Sequence, residues 1–304
     1  MMVGAVSQYV GAALAVGIFD DLGVTGVAWW RVVWSALFLL VWRRPRWGGF
    51  DSSQRKELAV FGIALAVMNL AFYLAIDRLP LGTAVAIEFS GPIAVAAWGY
   101  RKARGLVVVG LAAAGVVLLA DVQWRASPAG VCFALGAAAM WAVYILWGRR
   151  IGARGATQGL DGLALATAFG ALAVAPVGLA ATLGALGFDV TLVRGALGDA
   201  AAVQPSGSSR LAVLAVLAAV GICAAVALCS NVVPYALDQV VLARMPAAQF
   251  ALLSTLLPVT AVAVGVVALA QRPTLREALG IGLVVAALAL RPRPEPRRID
   301  VDST

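Results

Sequence analysis

The chain has 304 residues, 62% of them hydrophobic and only 12% charged. A soluble globular chain is about half apolar and about a quarter charged, so a water-facing globule is excluded and the chain needs lipid around it. The formal charge of +8 comes with no histidine, and the basic residues sit in short clusters between apolar runs, which is the pattern of a membrane topology signal rather than of a nucleic-acid partner.

Crossing the hydrocarbon core takes about 20 mainly apolar residues. Ten such stretches follow one another, at 2–19, 26–42, 58–76, 81–100, 105–120, 128–147, 159–183, 211–233, 246–270 and 274–290. In lipid they must be helices, because they are too long and too evenly apolar for barrel strands. The first span has no Lys or Arg before it and is followed by Asp20 and Asp21, so it does not read as a cleavable signal. It starts almost at Met1, with the polar residue Gln8 inside it. The second span carries Arg31, and the third carries Asn69 and Tyr73 one turn apart. Asp77-Arg78-Leu79-Pro80 joins spans three and four, and so short a link makes them antiparallel neighbours. The fourth span holds Glu88 and, midway, Pro92.

Further on, Trp141 and Tyr144 lie in the sixth span and Asp161 opens the seventh. Residues 184–210 are rich in Gly, Ala and Ser and read as a loop, either a plain flexible insertion or one with an interfacial helix over 189–203. The eighth span ends with Asn231 near its edge, and Tyr235 and Asp238 fall just past it. Gln249, Ser254 and Pro258 lie in the ninth, and Gln271-Arg272-Pro273 leads into the tenth. Cys132, Cys223 and Cys229 all fall inside apolar runs without CxxC spacing, as packing residues do, not as disulfide or zinc ligands.

Alternate loops differ in basic residues. With the N-terminus in the cytoplasm, inside segments hold 16 Lys and Arg and outside segments hold 6, which favours both termini inside. The halves also resemble each other. Pro80 is followed by Pro92 twelve residues on, and Pro246 by Pro258 at the same spacing, 166 residues later. Asn69-xxx-Tyr73 has a counterpart in Asn231-xxx-Tyr235. Each proline pair opens a helix and interrupts it midway, so Pro92 and Pro258 are the expected helix breaks. Five spans per copy is an odd number, so the copies face opposite ways. Inverted repeats with interrupted helices mark a transporter whose binding site lies near the midplane.

An ionisable group inside a span costs a few kcal/mol and usually faces a pathway. Arg31 and Glu88 lie about 8–11 Å below the outer interface, at comparable depth. They can form a structural ion pair. Alternatively, Arg31 takes a substrate carboxylate with its planar fork, and Glu88 carries the coupling proton or binds an ammonium, since burial favours a neutral carboxyl. The remaining pathway candidates are Gln8, Asn69, Tyr73, Trp141, Tyr144, Tyr235 and Ser254, the last being the repeat-mate of Glu88. Each can equally be helix–helix glue. No P-loop exists, since neither Lys56 nor Lys102 follows a glycine. The lack of histidine removes His-based metal sites and triads. No metal, cofactor or catalytic residue is expected, and the chain is not read as an enzyme.

The chain resembles the EamA branch of the drug/metabolite transporter superfamily, and within it the threonine/homoserine exporter subgroup. The matching residues are Gly26-Val27 through Arg31; Met68-Asn69 with Phe72-Tyr73; the block from Leu79-Pro80 through Glu88-Phe89-Ser90-Gly91-Pro92; Trp141 through Leu146; and Pro234-Tyr235 with Leu237 through Pro246. The resemblance implies an all-α membrane protein of ten transmembrane helices, built as two inverted five-helix EamA repeats over 1–120 and 128–291 with a cytoplasmic tail at 292–304. The first repeat lacks the usual cytoplasmic lead, which leaves its completeness open. It also implies alternating-access export of small amino acids or related metabolites across the inner membrane by proton antiport, by a monomer or homodimer. A same-fold exporter of cationic drugs and a non-transporting membrane scaffold are the competing expectations.

Overall fold

A computed structural model of the chain describes residues 2–99, 107–108, 110–111, 113–115, 118, 127–188, 210–247, 250–251, 254, 257, 264, 266–267, 270 and 274–290. Among them there are helices and no strands. In chain order the helices are α1 (Met2–Val16), α2 (Phe19–Leu22), α3 (Val24–Arg43), α4 (Ser52–Ile76), α5 (Leu81–Glu88), α6 (Ser90–Gly99), α7 (Pro128–Gly152), α8 (Ala156–Ala173), α9 (Ala175–Ala185), α10 (Arg210–Ala227), α11 (Val233–Arg244) and α12 (Leu275–Ala289). A π turn over Leu228–Val232 joins α10 to α11.

Among the described residues, five helices are long and apolar enough to cross a membrane: Val24–Arg43, Ser52–Ile76, Leu81–Trp98, Pro128–Gly152 and Val213–Arg244. Joined across their 59° bend, α8 and α9 make a sixth. The molecule is therefore a multi-pass membrane protein. Apolar side chains such as Leu37, Val41, Leu172 and Leu217 stand exposed on the outer faces of the helices, as lipid contact requires. The expected spans at 105–120 and 246–270 are described only in part. Gln249, Pro258, the 189–203 segment and the 292–304 tail lie outside the described residues.

Local signals set several boundaries. Asp51 caps α4 through a reciprocal pair with Gln54, a capping box. Pro92 lacks an N–H, so the Glu88 carbonyl loses its helical donor, and the span is interrupted one residue later, between α5 and α6. Pro176, at the start of α9, likewise follows the 59° bend.

One boundary differs from the sequence reading. The eighth span does not end near residue 233 but runs on to Arg244. A proline inside a helix removes one bond and crowds the preceding turn. The wider π turn ahead of Pro234 accommodates that crowding, so the helix continues and carries Tyr235 and Asp238 within it.

The core sits where the two ends of the chain interleave. α4 packs on α7 and α8, α3 packs on α8 and α10, and α1 packs on the π turn. These helices approach closely. A Cβ on Gly62 would lie 1.9 Å from the Ala166 carbonyl oxygen, and one on Gly91 would lie 2.0 Å from that of Ala138. Small residues at such contacts let membrane helices gain van der Waals packing in the absence of a hydrophobic drive.

Candidate functional site

Arg31 is 3% exposed, a third of the way along α3. A guanidinium buried in a span needs hydrogen-bond partners. Its Nη2 donates to Asn69 Oδ1 at 3.0 Å and to Asn231 Oδ1, and its Cζ lies 4.3 Å from the centre of the Tyr73 ring. The Asn69 amide donates in turn to Tyr235 Oη at 3.0 Å and to the Leu65 carbonyl at 2.8 Å. Thus the two Asn-xxx-Tyr pairs, 162 residues apart in sequence, converge on one arginine. Among the described residues Nε of Arg31 has no hydrogen-bond partner, so one donor of the fork is not engaged by them.

Arg31, Asn69, Tyr235, Glu88 and Gln8 share one small cavity of about 20 Å³, with Ala12, Met68 and Phe72 as its apolar wall. Both charged groups expected from sequence therefore line one space. The direct ion pair between them is not formed: neutral carboxamides hold Arg31. Among the described residues nothing hydrogen-bonds or ion-pairs with the Glu88 carboxylate. A cation held by amides and a carboxylate with no bond among the described residues thus face one small space and offer opposite charges to a zwitterion, or to a proton together with an anion.

The other candidates do not line this space, and several of them brace the residues that do. Tyr73 forms the floor beneath Arg31. Trp141 meets Phe89 edge-on, with ring centres 5.4 Å apart, and so braces the residue after Glu88. Tyr144 stacks on Phe61 at 5.3 Å and lies 5.6 Å from the Tyr235 ring. Its hydroxyl donates to Asp238 Oδ2 at 3.3 Å. Pro92 is buried beneath Glu88. Ser254 is apart from the cavity wall, and its hydroxyl donates to the Phe250 carbonyl one turn back. Pro258 lies outside the described residues.

Sequence reasoning left Asn231 out of the pathway set and passed over Met68, Phe72 and Ala12. Asn231 carried a signal, its repeat relation to Asn69. Met68 and Phe72 carried only their place in the stretch that bears the family resemblance, and Ala12 carried none.

A second charged cluster closes the end that carries Arg43, Arg149, Arg150, Arg154 and Arg244. Arg43 Nε pairs with Asp161 Oδ1 at 2.9 Å. Glu57 pairs with Arg150 at 3.3 Å and with Arg154 at 2.5 Å. In each case the acid and the base come from opposite halves of the chain.

No family model matches the chain. Among curated proteins it is similar to the threonine/homoserine exporter RhtA of Escherichia coli (strain K12), 32% identical over 310 residues that cover 99% of this chain and 95% of that protein. The protein of the same name from Salmonella typhimurium (strain LT2) is 32% identical over 302 residues, covering 96% of this chain and 91% of the relative. One solved crystal structure, at 19% identity, covers 95% of each chain with a TM-score of 0.54, a likeness of fold alone.

Proposed function

Because the chain belongs to the threonine/homoserine exporter family, in the EamA branch of the drug/metabolite transporter superfamily, we propose that it exports small amino acids or related metabolites from the bacterial cytoplasm in exchange for protons. The observation that carries this reading is the cavity that holds Arg31 and Glu88 without pairing them. An amino acid brings a carboxylate for the Arg31 fork and an ammonium for an acid. Glu88 in its protonated and ionised forms is the coupling element, and Asn69, Tyr73 and Tyr235 fix the geometry of Arg31.

The proposed architecture is two inverted five-helix repeats, over 1–120 and 128–291, working by alternating access in the inner membrane with both termini in the cytoplasm. Supporting it, several of the contacts among the described helices recur when each span is exchanged for the one five places on. Span three (α4) lies on spans six (α7) and seven (α8), while span eight (α10 to α11) lies on spans one (α1) and two (α3). The two-against-seven contact maps onto itself.

The test is reconstitution in vesicles with an acidic interior and an amino-acid panel outside. Accumulation of labelled L-threonine or L-homoserine that collapses with a protonophore is the expected result. Accumulation of lipophilic cations with no amino acid moved would overturn the cargo assignment.

A further inference from the structure

Beyond the cavity, a second polar group lies between it and the arginine-rich end. Asp238, half-buried, lies one turn past the cavity residue Tyr235 on α11, and among the described residues its carboxylate meets only the Tyr144 hydroxyl, at 3.3 Å. The next residue, Gln239, is fully buried, and among the described residues neither its amide nitrogen nor its amide oxygen has a hydrogen-bond partner. Its nitrogen would lie 3.1 Å from a Cβ on Gly148, and its oxygen 3.6 Å from one on Gly159. Tyr144 and Gly148 are four residues apart on α7, so they share a face. The Asp238 carboxylate thus meets Tyr144 on α7, and the Gln239 amide is seated between Gly148 on α7 and Gly159 on α8, where the missing side chains let it approach closely.

A half-buried carboxylate that meets only a tyrosine hydroxyl among the described residues, and a buried amide without a partner among them, are each costly. A ligand that donates several hydrogen bonds and carries positive charge satisfies both groups together, whereas a proton satisfies the carboxylate alone. We propose that Asp238, Tyr144 and Gln239 form a second binding site for the cargo's primary ammonium group, on the route between the Arg31–Glu88 cavity and the cytoplasm. The proposal rests on the amino-acid reading above. On the cytoplasmic approach the ammonium docks here, and the Tyr144–Tyr235 ring pair connects this site to the cavity where Arg31 receives the carboxylate. The chemistry selected is R–NH3+ with freely rotating donors, so N-acylated amino acids and hydroxy acids are refused.

The experiment uses the full chain in vesicles, without a pH gradient, exchanging labelled L-threonine against unlabelled L-threonine. The competitors are 1-amino-2-propanol, which keeps the ammonium but has no carboxylate, and 2-hydroxybutyrate, which keeps the carboxylate alone. Wild-type exchange should be inhibited by the amino alcohol. Asp238→Asn should raise its inhibition constant at least about tenfold and leave that of the hydroxy acid unchanged, and Asp238→Glu should restore most of the difference. An unchanged amino-alcohol constant in a well-folded Asp238→Asn protein would overturn the proposal, as would a shift produced by Glu88→Gln in its place. If Asp238→Asn does not fold, the wild type still decides, since failure of the amino alcohol to compete refutes the site. Absence of any amino-acid exchange by the wild type ends the amino-acid reading and this proposal together; exchange with unaltered competition ends only the latter.

Discussion

Arg31 is the residue on which the site turns. Its Nη2 bonds both Asn69 and Asn231, and Tyr73 lies against its face. Arg31→Lys keeps the charge but loses the planar fork, so L-threonine affinity should fall by about 10- to 100-fold, worth about 1.4–2.8 kcal/mol, with folding retained. Arg31→Met leaves the buried Asn231 carboxamide oxygen without its donor, at about 1–3 kcal/mol, while the Asn69 oxygen still accepts from the Tyr235 hydroxyl at 3.3 Å. A thermal melt should therefore drop for Met and hold for Lys. Undiminished binding by Arg31→Lys would show that the guanidinium geometry is immaterial. The sequence made Arg31 and Glu88 legible because ionisable residues are scarce in spans. It could not show that amides hold the arginine in place of the acid, since depth along a helix says nothing of rotation about its axis. For the same reason Ser254 looked equivalent to Glu88 by repeat spacing, yet it turns its hydroxyl to its own helix.

Helices in this molecule are held at distances that only small side chains permit. Gly62 on α4 meets the Ala166 backbone on α8, joining the halves beside the cavity residues of α4. Gly62→Ala should destabilise the protein by about 1–3 kcal/mol through overpacking, read as a lower melting temperature in detergent. Gly136→Ala, where nothing lies within 4 Å of the added methyl, should leave the melt unchanged. The existence and order of these elements were readable from apolar run length, and the Pro92 interruption from the proline itself. The continuation through Pro234 was not, because local rules read a proline as a stop and the π turn that tolerates it depends on tertiary packing. In that turn the Cys229 carbonyl accepts from Ser7 on α1, and Gly11 lets α1 sit against Ser230.

At the scale of the whole molecule, ion pairs cross between the halves at the arginine-rich end, Arg43 with Asp161 and Glu57 with Arg150 and Arg154. Each partly exposed pair is worth about 0–1 kcal/mol, so if they act as a seal in the proposed alternating access, removing both sets should favour opening at that end without unfolding the protein. A cysteine at Gly159, where a Cβ makes only ordinary contacts beside Gln239, should react several-fold faster with an impermeant maleimide from that side in the Arg43→Gln/Glu57→Gln background; an unchanged rate would remove the seal from the account. The most direct test of coupling compares Glu88→Gln with the wild type in two modes of one vesicle assay. L-Threonine accumulation driven by an acidic interior should be abolished, while gradient-free L-threonine exchange persists at a comparable rate. Gradient-driven accumulation at wild-type level in Glu88→Gln would contradict the assignment of proton coupling to the Arg31–Glu88 cavity.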